Sequence, residues 1–411
     1  MTKTKVPRLR FSEFSGEWKE EPLENRIEFL KGNDSGNYKL PILTISAGKG
    51  WMLQSDRFGN VLAGKELKNY TLLKKGQLSY NHGNSKLAKY GAVFSLKDYN
   101  EALVPKVYHS FKILNGDSDF IEKLFESKKT DRQLRKMITS GARMDGLLNI
   151  NKQSFGSILI NFPILIEQQK IGNFFAKQDK LIELQTQKVD QLKKLKRGYL
   201  QKMFPQEGET VPRLRFSGFS GEWKEEKLVE LLKIGKSGGT PSTRNKEFYK
   251  GEIPFLSIKD VTTSNGTIFD TEKHISQEAV DNSSTWIVPK NALTLSMYAS
   301  VGSVAKFTTN IATSQAFFNM IFNENVFVDY MYHFLKYYDY CGKWNRLIAK
   351  GTQGNLNATD IKNIIVFVPK LDEQQKIGSF FAKLDKLIEE QSNKLDQLKQ
   401  QKKAYLQKMF I

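Results

Sequence analysis

Apolar positions follow two different rhythms along this chain of 411 residues. Residues 167–204 and 373–410 are charged stretches with apolar residues at every third or fourth position, the period of an amphipathic helix. In the first, Ile171, Phe174, Leu181, Leu192, Leu195 and Tyr199 mark one heptad stripe, interrupted by Gln178, Gln185 and Lys188. Phe175, Ile182, Val189 and Met203 mark a neighbouring stripe. The second stretch repeats both, as Ile377, Phe380, Leu384, Leu387, Leu398 and Tyr405, and as Phe381, Ile388, Leu395 and Met409. Elsewhere short apolar runs alternate with Gly and Asn turns, the rhythm of strands. Residues 41–45, 70–73, 90–95 and 106–113 read as strands, 118–139 as a helix, and 157–162 as a last strand ending at Pro163. The same grammar returns at 253–258, 286–289, 292–297, 303–308 and 315–322, with a helix at 326–340 and a closing strand at 363–368 before Pro369.

The two helical stretches are copies, identical at 28 of 38 positions, and VPRLRFSEFSGEWKEEPLEN at 6–25 returns as VPRLRFSGFSGEWKEEKLVE at 211–230. One frame is used twice around two unlike inserts. The expected organisation is a repeat segment at 1–25, an insert domain at 26–165, a long helix at 166–204, a linker and second repeat segment at 205–230, a second insert domain at 231–371 and a second long helix at 372–411. Both inserts are α+β modules with the same ending. An apolar face on so charged a helix needs a partner, and the other copy is the natural one. An antiparallel coiled coil is expected, with Ile171, Phe174, Leu181, Leu192 and Tyr199 facing Ile377, Phe380, Leu387, Leu398 and Tyr405. At about 1.5 Å per residue such a rod is about 54 Å long, which would make it a spacer between the inserts.

The formal charge of +19 is spread over every part of the chain rather than gathered in a tail, which favours a long contact with a polyanion such as duplex DNA. A single cysteine, Cys341, excludes an internal disulfide and a thiolate metal cluster, and fits a reducing cytoplasm. No apolar run approaches a membrane span. Enzymatic motifs are missing. IGKS at 234–237 resembles the end of a phosphate-binding loop, but the first glycine of that motif is replaced by Glu230. The four histidines, His82, His109, His274 and His333, lack metal-ligand spacing, and no two prolines are adjacent, so an amino-methyltransferase Asn/Asp-Pro-Pro motif is absent. A binding protein is the better class, and no catalytic or metal residue is expected.

Both inserts run a strand into a small polar loop, LSYNHGNSK at 78–86 and LSMYASVGS at 295–303. Such loops offer donors and acceptors with a close backbone approach, as base-edge and phosphate contacts require. The candidate DNA-binding residues are Tyr80, Asn81, His82, Asn84, Ser85 and Lys86 in the first insert and Tyr298 and Ser300 in the second. SGGTPSTRN at 237–245 and LSIKD at 256–260 add Thr240, Ser242, Thr243, Arg244 and Lys259; KGTQGNLN at 350–357 adds Gln353 and its counterpart SGARMDGLLN at 140–149 adds Arg143. Arg132 and Arg135 sit in a basic cluster with the density of a phosphate-contact helix. An arginine in such a loop either forks onto guanine or clamps a phosphate.

Taken together, the chain resembles the DNA-specificity subunit of Type I restriction-modification systems. The resemblance rests on the paired EQQKIGxFFAKxDKLIE helices, on VPRLRFxxFSGEW twice, and on GGTPST, IPFLSIKD, LSMYASVG and GTQGNLN in the second insert, and it covers essentially the whole chain. It implies two target recognition domains separated by an antiparallel coiled coil, pseudo-two-fold symmetric, with no catalysis by the subunit itself. It further implies partner DNA methyltransferase subunits carrying S-adenosylmethionine and partner restriction subunits that use ATP and magnesium, the complex working in the cytoplasm on double-stranded DNA. Two unlike inserts would then read a split, asymmetric target with an unspecified spacer. A stand-alone architectural DNA-binding protein and a coiled-coil scaffold that binds no DNA are the alternatives.

Overall fold

The computed structural model describes residues 5–59, 64–83, 85–138, 147–348 and 354–411. It divides the chain into two compact units, one built from Met1–Thr186 with Lys394–Ile411, the other from Gln187–Asn393. Each unit therefore contains an insert, the half of one long helix that leaves it and the half of the other that arrives. The long helices run over Leu165–Met203 and Leu371–Met409. No helix among the described residues is long and apolar enough to cross a membrane.

In the first unit a four-stranded antiparallel sheet has the order Ile27–Phe29, His109–Ile113, Leu78–Asn81, Ala92–Ser95. In the second unit the sheet order Leu232–Ser237, Phe317–Phe322, Leu293–Ser296, Val304–Phe307 repeats that topology and adds Thr267–Ile268 in parallel at the edge. The inserts are thus one fold with different outer parts. The first carries two separate two-stranded ribbons, Leu43–Ser46 with Gly50–Leu53 and Thr71–Lys74 with Glu101–Val104; the second carries a four-stranded mixed sheet. The expected helix at 118–139 is two helices, Ser118–Glu126 and Asp131–Lys136, because the chain turns at Lys128 with φ 66°. Likewise the strand expected at 253–258 ends at Leu256, where Ser257 caps a helix over Ile258–Thr263 with Asp260 in a reciprocal capping box.

The repeat segments have a definite role. Lys19–Pro22 pairs antiparallel with the closing strand Leu159–Phe162, and Lys224–Lys227 pairs with Ile365–Val368. Trp18 and Trp223 are buried just before those strands. Arg10 grips Glu167 with two hydrogen bonds of 2.8 Å, and the Trp18 indole donates to the same carboxylate at 3.3 Å. Arg215 repeats the grip on Glu373 at 2.6 and 2.7 Å. The next residue in each helix, Gln168 or Gln374, donates to the carbonyl of Pro163 or Pro369 and accepts from the backbone N–H of Asp117 or Phe327, at the start of the insert's helix. The sequence EQQ is therefore a three-way joint between repeat segment, closing strand and insert helix. Gly172 and Gly378 let that helix approach closely: a Cβ at Gly172 would stand 2.6 Å from Asp117 Oδ1, and one at Gly378 2.8 Å from the Phe327 ring.

The long helices meet antiparallel within each unit through equivalent contacts. Phe174 packs edge-on against Tyr405 at 5.1 Å in the first unit, and Tyr199 against Phe380 at 5.1 Å in the second. Asp179 pairs with Lys402 at 2.5 Å, and Lys196 with Asp385. The arriving helix ends inside the core: Leu406, Met409 and Phe410 join Trp18, Phe120 and Phe175 in the first unit, and Leu200, Met203 and Phe204 join Trp223, Tyr330 and Phe381 in the second. Complete burial of a phenylalanine contributes about 1.5–3 kcal/mol, so these ends anchor the helices firmly. One expectation about the seam is corrected. Leu181 and Leu387 are 49% and 38% exposed, whereas Val189, Leu395 and the glutamine Gln185 are buried. The helices close over the second stripe, of Phe175, Ile182, Val189 and Met203, together with Ile171, Phe174 and Tyr199 from the first. Leu192 and Leu398 are partly covered.

Candidate nucleic-acid interface

The strands Leu78–Asn81 and Leu293–Ser296 occupy the same place in the two sheets, so the loops that follow them are equivalent. In the first unit the residues of that strand end do different work from the one expected. Tyr80 is fully buried, stacked on Phe155 at 4.4 Å, and its hydroxyl donates to the Tyr90 carbonyl at 2.7 Å; burial pushes that phenol's pKa up. His82 is buried too, its ring nitrogens 2.7 Å from the Leu148 carbonyl and 2.9 Å from the Val107 carbonyl. It stacks on His109, whose Nε2 lies 2.8 Å from the Ile150 carbonyl. Burial chiefly, with the His82 ring adding, pulls the His109 pKa down to about 4, so it is neutral near pH 7. Neither Tyr80 nor His82 is available to DNA. His82 and His109 fasten residues 148–150 to the sheet, and Tyr80 packs beneath on Phe155.

Beyond them the surface opens. Asn81 is partly exposed and folds its carboxamide oxygen onto the Gly83 N–H at 3.0 Å. Ser85 and Lys86 are exposed in a turn closed by reciprocal backbone bonds between Ser85 and Ala88, and Lys128 holds that turn through the Leu87 carbonyl at 2.8 Å. Arg132 and Arg135 are exposed on the short helix Asp131–Lys136. Asn84, Arg143 and Gln353 lie outside the described residues.

In the second unit four loops converge at one end of the main sheet. Thr240 donates to the Gln315 carboxamide at 2.5 Å, the Met297 N–H donates to the Ala316 carbonyl at 2.8 Å, and the Leu356 N–H donates to the Met297 carbonyl at 3.0 Å. Thr240, Ser242, Thr243, Arg244, Tyr298 and Ser300 are all exposed there or beside it. The two glycines of SGGTPST serve packing: a Cβ at Gly238 would stand 1.9 Å from the Thr313 carbonyl oxygen, and one at Gly239 2.1 Å from Ser284 Oγ. That tight passage displays the following Thr-Pro-Ser-Thr-Arg at the surface. Lys259 is exposed but paired with Glu272 at 2.6 Å, and Glu272 shares a cavity of about 600 Å³ with Thr243. Contact of Lys259 with a phosphate would first require leaving that carboxylate.

Sequence reasoning missed Arg10, Glu167 and Gln168 and their copies as the joint that positions each insert. Their signal was identity in both copies at polar positions, which a helix face exposed to solvent has no reason to keep. Among the described residues no group of histidine, cysteine or carboxylate side chains is placed to hold a metal ion.

Comparison with known proteins bears on this arrangement. Residues 220–400 match the family model for the Type I restriction modification DNA specificity domain. The chain is 29% identical over 169 residues to the specificity subunit of the Type I restriction enzyme MjaIX of Methanocaldococcus jannaschii, covering 41% of this chain and 39% of that one. It is 32% identical over 186 residues to the EcoR124I/EcoR124II specificity subunit of Escherichia coli, covering 42% of this chain and 43% of that one. The matches thus span about two fifths of the length of these relatives. In fold it is similar to the crystal structure of a Type I restriction-modification S subunit from M. genitalium, with a TM-score of 0.64 at 17% identity over 99% of each chain. A chain from a structure of type I R-M complex assembly gives 0.56 at 16% identity, over 97% of this chain and 99% of that one. Residues 220–400 thus match the Type I restriction modification DNA specificity domain, and the doubled fold of the chain is similar to that of Type I S subunits.

Proposed function

We propose that this chain is the DNA-recognition subunit of a Type I restriction-modification complex, reading a bipartite, asymmetric target. One observation carries the reading: two units share a topology and a joint, yet present unlike loops from the same strand end. Equivalent placement gives both inserts the same docking geometry. Unlike loops give them different half-sites. Exposed Lys86, Arg132 and Arg135 on one unit and Thr243, Arg244 and Ser300 on the other supply phosphate and base-edge donors. The subunit performs no chemistry. Adenine methylation belongs to partner methyltransferase subunits holding S-adenosylmethionine, and ATP- and magnesium-dependent cleavage to partner restriction subunits.

The test is to combine the chain with its methyltransferase subunit and map methylated adenines across a genome. A single split motif with two different halves is expected. Random or palindromic methylation would overturn the proposal. DNA affinity of that complex should also fall steeply between 50 and 200 mM salt, as phosphate neutralisation dictates.

A further inference from the structure

In the second unit the insert and the long helices line an open cleft of about 420 Å³. Lys196 and Asp385 of the helices line it, and they neutralise each other in an ion pair. The insert contributes Lys336, Asn265, Ser300 and Ser303. Among the described residues, none of these four side chains has a hydrogen-bonding partner or a carboxylate within ion-pair distance. The Lys336 amine instead lies 5.6 Å from the centre of the Tyr332 ring. Burial, and then the charge of Lys196, hold the Lys336 pKa below its ordinary value against the opposing pull of Asp339 and Asp385, neither of which lies within ion-pair distance. The loop that brings the serines is rigidly held. Ala299 and Ser300 sit at φ 32° and 56°, Gly302 at 85° with no room for a Cβ beside Trp344, and Gly302 and Ser303 donate backbone bonds to Ser296 and Ser300. Non-glycine residues in that region cost about 1–3 kcal/mol each and persist where the surroundings dictate them, commonly at binding sites.

The first unit makes the contrast. Asp179 matches Asp385 in the repeat, but there the insert's Lys123 lies 2.6 Å from Asp179, 2.7 Å from Glu126 and 3.3 Å from Glu122. That junction is saturated with carboxylates, whereas its counterpart offers four side chains with no hydrogen-bonding partner among the described residues, one of them a lysine with no carboxylate at ion-pair distance.

We propose that Lys336, Asn265, Ser300 and Ser303 form an oxyanion site for a phosphodiester of bound DNA, beside the half-site read by the second unit. The inference rests on the DNA-recognition reading above. The experiment compares the wild-type chain with Lys336→Met, Lys336→Arg and Asn265→Ala/Ser303→Ala, each in complex with methyltransferase subunits. Affinity for a DNA carrying the methylated motif is measured across salt concentrations. Loss of one phosphate contact should weaken binding by about tenfold at 0.1 M salt and reduce the log–log salt slope by about 0.9. The arginine variant should restore the slope, and the motif should stay the same. Should Lys336→Met fail to fold, the Asn265→Ala/Ser303→Ala variant, which keeps the lysine, must still weaken binding severalfold. Unchanged affinity and slope in variants of a complex that binds its motif would overturn the site and leave the recognition reading standing. Absence of salt-sensitive binding by the wild-type complex would instead overturn that reading. Inorganic phosphate titrated without DNA, followed by ³¹P line width, separates the sources. Saturation below about 1 mM that Lys336→Met abolishes, with an unchanged DNA slope, would assign the site to free phosphate and refute the DNA contact.

Discussion

Substitution of Glu167 by glutamine should destabilise the first unit far more than its size suggests. The carboxylate is 1% exposed, and it is shared by the Arg10 guanidinium, 12% exposed, and the Trp18 indole. Glutamine preserves the volume and one acceptor but removes the charge. Arg10 then keeps its bond to the Gly16 carbonyl and loses its only carboxylate among the described residues. Breaking one side of a buried pair costs about 3–5 kcal/mol. Glutamine's remaining carbonyl puts the expectation near the lower end, about 3 kcal/mol. For a unit of about 200 residues, each kcal/mol moves the melting temperature by about 2–4 °C, giving a fall of about 6–12 °C. Differential scanning calorimetry should show it in one transition, and Glu373→Gln should produce the same fall in the other. Replacing both partners, Arg10→Met with Glu167→Leu, should recover most of the loss, because an apolar pair leaves no buried charge alone. A shift below about 2 °C for Glu167→Gln would show that the joint is not held by this ion pair.

Other outcomes follow from the same geometry. Gly198→Ala, where nothing stands within 4 Å, should stabilise the first long helix by up to about 1 kcal/mol, whereas Gly172→Ala should destabilise despite the same gain in helix propensity; urea midpoints compare them. Phe175→Ala should cost about 3–5 kcal/mol, and Leu181→Gln less than about 0.5, a ranking opposite to one based on the first heptad stripe. His109 accepts a proton near pH 6.5 when unfolded but only near pH 4 when folded. The unfolded state therefore binds the extra proton in that window, and the first unit loses up to about 3 kcal/mol as pH falls from 6.5 to 4. His109→Gln, which can still donate to Ile150, should flatten that dependence in urea titrations at a series of pH values.

The long helices, the doubled frame and the distributed positive charge could be read from the sequence because each is a local or summed property. Period 3.6 fixes a helix wherever it folds, identity between copies needs no structure, and charge adds without geometry. The strand at Lys19–Pro22 could not be read, since KEEP has no apolar alternation; it is a strand because a closing strand 140 residues later needs an edge. Tyr80 and His82 looked like displayed residues because period two cannot say which face of a sheet is covered, and here Phe125 and Phe155 cover it. The choice between two neighbouring heptad stripes lay equally beyond the sequence. Both are apolar enough to pack, and the joint at Glu167 and Gln168 sets the rotation of the helix on its insert, burying Phe175 and leaving Leu181 outside. Local periodicity determined which elements exist. Tertiary packing decided which side of each element faces the core, and therefore which residues remain at the surface.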